Sequence, residues 1–386
     1  LEISHWMMLP FVFGLLWQIH SFSAYFIQEK WMQVAVCLLI IADPTLSSQL
    51  VLISPEPIQM FFFFLALNSI LKHNAFYKAL GLAFLGIISY RGMMLCAGIF
   101  LIDLAFYLFI SKKSLKSFFN KEVVLTYAIG AIPAISYIIW RYVEPGWLIT
   151  HPESPWDSGR HFVSLKELLT NIVILGQRYL DFGRAFIWLI LLIALIRFRK
   201  ELKKIHFKLI LISVLSCSVL IIISLFLTNP LGHRYLIASY VPLTLLAFLF
   251  LRELKYSKLI YAFLLVSFIA CNRLIYSDDF AQGWDASLAH LPYWDLHDSA
   301  INYMDENNIP IEECATFFPN CTHIDYIKMN GDMREFSKFN GKNPYVFYSN
   351  VYNLSDADFK LLDKNYHTIK TLENYGVRIE IMRLDE

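Results

Sequence analysis

Charge is scarce in this chain. Of its 386 residues only 17% are Asp, Glu, Lys or Arg, against 57% hydrophobic and 16% aromatic, and the mean hydropathy is +0.48. Soluble domains carry about a quarter charged residues, so the composition points to a polytopic membrane protein instead. The formal net charge is +1, which leaves no electrostatic reason to expect nucleic acid as a partner. Internal repeats and low-complexity tracts are absent. So is any metal-ligand spacing: His151 and His161 stand too far apart to read as a ligand pair, and a divalent ion is left open without being required. Four of the six cysteines, Cys37, Cys96, Cys217 and Cys271, lie in apolar runs and read as small buried side chains. Cys314 and Cys321 lie outside those runs, where a disulfide could persist, and their pairing stays open.

The charge that is present is unevenly distributed. Ten apolar runs fill the first 273 residues, drawn at 3–26, 32–53, 57–71, 77–89, 93–110, 122–142, 182–198, 207–227, 233–251 and 257–273. The loops between them alternate between lysine-rich and lysine-poor. Lys112, Lys113, Lys116 and Lys121 share one loop, Arg197, Arg199, Lys200, Lys203, Lys204 and Lys208 another, and Arg252, Lys255 and Lys258 a third. The positive-inside bias assigns these to the cytoplasm. Residues 142–168 and 228–234, and everything after Asn272, then fall on the outer side. By that count the run 3–26 begins outside, so a membrane helix ahead of Leu1 is expected, and no signal peptide is visible.

Two runs are interrupted in ways that carry information. Asp43-Pro44 breaks the second run near the outer surface, because an acid and a helix breaker are both costly in hydrocarbon. Ser54-Pro55-Glu56-Pro57 follows in the same outer connection. Ser89-Tyr90-Arg91-Gly92 divides 77–94, and a hairpin at the outer face accommodates it. Arg91 then sits against the positive-inside trend, which an anionic partner would explain. Asp43 reads equally as a helix cap and Glu56 as the cap of the following span. An ion pair of Arg91 with either acid is the alternative to a ligand.

The outer segment from His151 through Glu153, Asp157, Arg160 and His161 is polar and proline-punctuated, a solvated loop that could line an acceptor pocket. Residues 165–184 read as an interfacial helix whose Arg178, Asp181 and Arg184 form local pairs. Asp103 reads as a satisfied polar contact between helices. Beyond the last span, residues 274–386 read as a small extracytoplasmic α/β domain after the transmembrane helical domain 1–273. Helices are expected at 296–307 and 355–364 and strands at 315–318, 345–348 and 377–382. Trp284 is placed at the membrane interface, with Asp285 above the helices.

The most pointed constellation is Asn229-Pro230-Leu231-Gly232-His233-Arg234-Tyr235 between two spans on the outer side. A guanidinium there suits a lipid-linked phosphate, since its planar donors match phosphate and its charge does not titrate away. Snorkelling of Arg234 to lipid headgroups is the alternative.

The Gly-His-Arg-Tyr-Leu opening of a late span, the Pro-Glu opening of an early one after a broken helix, and the final α/β domain together resemble the GT-C superfamily of integral-membrane glycosyltransferases. The nearest types are the bacterial aminoarabinose transferases and protein O-mannosyltransferases. The resemblance implies a mainly α, GT-C-like bundle in the bacterial inner membrane and a polyprenyl-phosphate-linked sugar donor. The acceptor would be a glycan, lipid or protein at the outer face. It places Arg234, His233 and Tyr235 at the donor phosphate with Arg91 as a second contact, Asp43 and Glu56 as supporting acids, and His151, Asp157, Arg160 and Asp285 on the acceptor side. The general base would fall in the first outer loop, upstream of Leu1. The competing classes are a transport or assembly protein for lipid-linked saccharide and a lipid-diphosphate-dependent polymerase or ligase. A transporter would carry its ionisable groups near the midplane rather than at the outer edge.

Overall fold

The computed structural model describes residues 2–149, 161–200, 202–228, 231–276, 285–318, 320–352 and 354–385. It is mainly helical with a small C-terminal sheet, and it divides into two compact units, His5–Ile269 and Ala270–Glu386, the latter grouped with the first four residues.

The first unit is built from α1 (Glu2–Phe26), α2 (Lys30–Ile41), α3 (Pro44–Val51), α4 (Glu56–Leu71), α5 (Ala75–Ile88), α6 (Tyr90–Ala105), α7 (Leu115–Phe118), α8 (Lys121–Val143), α9 (Leu165–Leu180), α10 (Arg184–Phe198), α11 (Lys204–Leu215), α12 (Ser218–Leu225), α13 (Ile237–Leu251) and α14 (Ser257–Cys271). Among the described residues five segments are long and apolar enough to cross a membrane: His5–Phe26, Tyr90–Ile110, Lys121–Val143, Lys204–Leu225 and His233–Leu251. Two bent pairs, α2 with α3 at 79° and α9 with α10 at 87°, bring the number to seven. The runs expected at 57–71, 77–89 and 257–273 are helices too, but shorter than a full span. Several apolar helices of this length mark a membrane protein.

Local chemistry explains the breaks. Asp43 precedes Pro44, whose missing N–H costs nothing at a helix start, and its carboxylate accepts from the Thr45 and Leu46 amides at 3.0 and 3.3 Å. At the hairpin between α5 and α6, Ser89 is fully extended and its hydroxyl accepts the Gly92 amide at 3.0 Å. Gly92 is required there by space, because a Cβ would stand 2.0 Å from the Leu85 carbonyl oxygen. The corner between α9 and α10 turns through Phe182 and Gly183, both at positive φ. Every residue of α13 is buried, so this helix is the axis of the unit. A 3-10 turn, His233–Leu236, leads directly into it.

The second unit carries α15 (Tyr293–Glu306), β1 (Cys314–Thr316), α16 (Ile324–Lys328), β2 (Ser337–Lys338), β3 (Tyr345–Ser349), α17 (Asp356–Asn365), β4 (Tyr366–Asn374) and β5 (Val377–Leu384). The sheet runs β2-β1-β3-β5-β4, parallel across its first three strands and antiparallel at β5 and β4. Ala300 and Met304 of α15 bury against Phe347, Ile379 and Ile381 of the sheet. Cys314 and Cys321 are both free thiols. His297 is fully enclosed, its Nε2 at 3.0 Å from Asn320 Oδ1, while Asn320 donates to Thr316 Oγ1 at 3.4 Å. Burial, with the Lys328 ammonium adding to it, pushes His297 down to about 4.

Candidate functional site

The lysine-poor helix ends of the first unit hold three ionic groups. Glu56, the first residue of α4, is 2% exposed and receives two arginines on one oxygen. Arg91 Nη1 lies 3.0 Å and Arg234 Nε 3.4 Å from Glu56 Oε1, and each arginine side chain keeps about 30% of its surface exposed. The second carboxylate oxygen, Oε2, is buried without a hydrogen-bond partner among the described residues. Tyr235 lies against both cations, its ring centroid 4.1 Å from Arg91 Cζ and 5.4 Å from Arg234 Cζ. Gln59, one turn along α4 from Glu56, donates to Ser89 at 2.9 Å and so fixes the hairpin that presents Arg91.

Beside it is a deeper pair. Arg184, 1% exposed, grips Asp43 with two parallel bonds, Nε to Oδ2 at 2.8 Å and Nη2 to Oδ1 at 2.7 Å, and donates to Thr45 Oγ1. Tyr240 of α13 covers its guanidinium at 3.9 Å. The third group is His233, whose Nε2 stands 3.0 Å from Asp181 Oδ2. Arg178 donates to the Leu231 carbonyl at 3.2 Å, and Tyr240 donates to the Arg178 carbonyl at 2.9 Å. The corner between α9 and α10 is thereby tied to the turn that carries His233 and Arg234. Side chains held by this many partners lose little further entropy on binding a ligand, which is what preorganisation requires.

Against expectation the residues sort as follows. Arg91, Arg234, Tyr235 and Glu56 come together. The alternative reading of Arg91, an ion pair with Glu56, is realised in the same geometry that keeps its guanidinium partly open. His233 is buried and engaged by Asp181 rather than standing beside Glu56. Asp43 is both the expected cap and the partner of Arg184. Arg184 overturns the expectation of local pairing, since its carboxylate lies 141 positions away in sequence. The reason is the 87° corner, which turns Arg184 inward at the start of α10 instead of along the face of α9. Asp103 is a satisfied contact as expected, 2.7 Å from Lys78 and 2.9 Å from the Tyr127 hydroxyl. His151, Glu153, Asp157 and Arg160 lie outside the described residues. His161 is exposed, its amide donating to Thr228 at 3.2 Å. Asp285 is half-buried in the second unit. Among the described residues no group of three or more His, Cys, Asp or Glu side chains could hold a metal.

Sequence reasoning missed Gln59 and Arg141, and gave Asp181 local partners on its own helix without its contact to His233. Arg141 and Arg184 carried the signal used for Arg91, a cation at a lysine-poor helix end, and that rule applied uniformly would have found both. Compared with known proteins, the chain matches no family model, no curated protein and no solved structure.

Proposed function

We propose that the chain is a membrane glycosyltransferase that moves a sugar from a polyprenyl-phosphate-linked donor to an acceptor at the extracytoplasmic face of a bacterial inner membrane. The observation that carries this reading is the pair Arg91 and Arg234 on one buried carboxylate, partly exposed, at helix ends where positive charge is disfavoured. Two converging, partly exposed guanidiniums present planar donors that a phosphodiester matches.

In this reaction the acceptor oxygen bonds to the anomeric carbon as the bond from that carbon to the phosphate oxygen breaks. The electron pair stays on the phosphate, and the acceptor proton passes to a base. Arg91 and Arg234 stabilise the charge that grows on the leaving phosphate, while Glu56 and Tyr235 hold them converged before the substrate arrives. The Asp181–His233 pair fixes the turn from which Arg234 projects, and the Gln59–Ser89 bond the hairpin that carries Arg91. A lipid-saccharide transporter is the other class, and the gathering of these groups at one set of helix ends favours transfer at an interface.

The test is binding and turnover of undecaprenyl-phosphate sugars by purified protein. Arg234→Ala is expected to weaken binding of undecaprenyl phosphate roughly tenfold to a hundredfold, the worth of a charge-assisted contact, and to abolish transfer without lowering expression. Near-normal binding and turnover in that variant would remove the assignment.

A further inference from the structure

Among its described residues the helical unit buries three cations: Lys78, Arg141 and Arg184. Lys78 meets Asp103 and Arg184 meets Asp43. Arg141, 8% exposed in the last turn of α8, meets no carboxylate among the described residues. Its Nη1 donates to the Tyr137 hydroxyl at 3.1 Å, and the rest of its surroundings are aromatic. Trp147 lies 3.6 Å from the guanidinium carbon, Tyr90 5.4 Å and Tyr137 5.5 Å, each measured to the ring centroid. The cage is braced from outside: the Tyr90 hydroxyl donates to the Leu148 carbonyl, and Tyr137 stacks on Trp140.

A charge buried without a counter-ion is costly, and aromatic faces offset only part of that cost. Rings cover the flat faces of a guanidinium and leave its in-plane N–H donors, five in all, to be matched by an anion at the edge. The cage therefore holds a cation ready without neutralising it. Its place is specific too. Tyr90 of the cage immediately precedes Arg91, so the first turn of α6 contributes one residue to each cationic site. Adjacent helical side chains diverge by about 100°, and Tyr90 turns toward Arg141 and Leu148 while Arg91 turns toward Glu56 and Tyr235. The two sites address different groups.

We propose that Arg141 binds a second anionic group, a carboxylate or phosphate, carried by the acceptor saccharide. This rests on the reading that Arg91 and Arg234 hold the donor phosphate. Sugar transfer needs two substrates at once, and the donor head is already provided for; the cation caged against Tyr90, the residue next to Arg91, falls to the other. The acceptor is then an acidic or phosphorylated glycan rather than a neutral one.

The experiment uses the full chain in phosphatidylcholine nanodiscs with farnesyl phosphate as the donor-head probe. Glucose 6-phosphate and glucuronate serve as anionic saccharide probes and glucose as the neutral control, all followed by titration calorimetry. With farnesyl phosphate saturating, both anionic sugars are expected to bind and glucose not. Arg141→Gln should weaken glucose 6-phosphate by about tenfold or more while leaving farnesyl phosphate within about twofold, and Arg141→Lys should fall between. The proposal is overturned if the wild type takes farnesyl phosphate but prefers neither anionic sugar to glucose, a comparison that needs no variant. It is also overturned if Arg141→Gln weakens both probes alike, as a purely structural arginine would. Loss of sugar-phosphate binding in phosphatidylglycerol nanodiscs would assign the cage to a lipid headgroup and overturn it as well. Failure of the donor reading looks different: farnesyl phosphate does not bind the wild type, or binds it regardless of Arg234.

Discussion

Removing the Asp43–Arg184 pair one partner at a time tests how much of the helical unit depends on it. Both side chains are almost fully buried and joined by two bonds of 2.8 and 2.7 Å. At an effective dielectric of about 20, unit charges about 4 Å apart attract by about 4 kcal/mol, and breaking a buried pair by deleting one member costs about 3–5 kcal/mol. Arg184→Leu leaves the Asp43 carboxylate with only the amides of Thr45 and Leu46 as partners. Asp43→Asn keeps a capping oxygen for those amides and strands the guanidinium against Tyr240 and Thr45. Each single variant should therefore lose about 3–5 kcal/mol. In the double variant no charge is left unpaired, so its loss should be smaller than the sum of the two by about 2–4 kcal/mol. Unfolding by SDS in mixed micelles, followed by far-ultraviolet circular dichroism on all four proteins, measures that coupling. Losses that add to within about 0.5 kcal/mol would show that the pair is not acting as a unit, and the account of the α9–α10 corner would fall with it.

Two further outcomes follow from particular contacts. Gly92→Ala places a Cβ 2.0 Å from a backbone oxygen that cannot rotate away, so the hairpin must open; a loss of about 3 kcal/mol is expected in the same assay, with unchanged stability as the refuting result. His297 is held at about 4 in the folded chain against an ordinary 6.5. Between those values the unfolded chain binds more protons than the folded one, so stability falls as pH drops through the window. The second unit should lose about 2 kcal/mol between pH 7 and pH 5, seen as earlier loss of hydrogen-exchange protection in β1 and β3, and His297→Gln should flatten the profile.

Periodicity and turn chemistry carried the helical unit a long way. Each of the ten apolar runs is a helix or a bent pair, and the two interruptions at Asp43-Pro44 and Ser89 fall where a cap and a helix breaker belong. In the second unit β1 and β3 were legible as short apolar runs and β5 from its alternation, whereas β2 and β4 were not. β2 is two residues long, and the edge strand β4 carries polar Thr368, Lys370 and Glu373 that dilute the pattern. What could not be read was pairing at a distance. The Arg184–Asp43 contact spans 141 positions and depends on a corner angle, so spacing along a single helix suggested local partners. The convergence of Arg91 and Arg234 on Glu56 is of the same kind.

The charges at those helix ends finally bear on one another. Among the described residues of the helical unit, the buried and half-buried ionic groups at the lysine-poor ends are Arg91, Arg141, Arg178, Arg184 and Arg234 against Asp43, Glu56 and Asp181. Arg184 is matched within the fold by Asp43. Asp181 lies on the His233 ring and close along the helix to Arg178, so it compensates that cation in part. Arg91 and Arg234 both meet Glu56, and Arg141 meets rings and a hydroxyl. The first turn of α6 touches both of these sites, through Arg91 itself and through the Tyr90 ring over Arg141. Positive charge gathered at buried and half-buried helix ends draws anions from beyond contact distance. On the proposed reading, a donor phosphate at the Glu56 cluster and an acceptor anion at Arg141 complete the compensation of cations that the fold already holds in place.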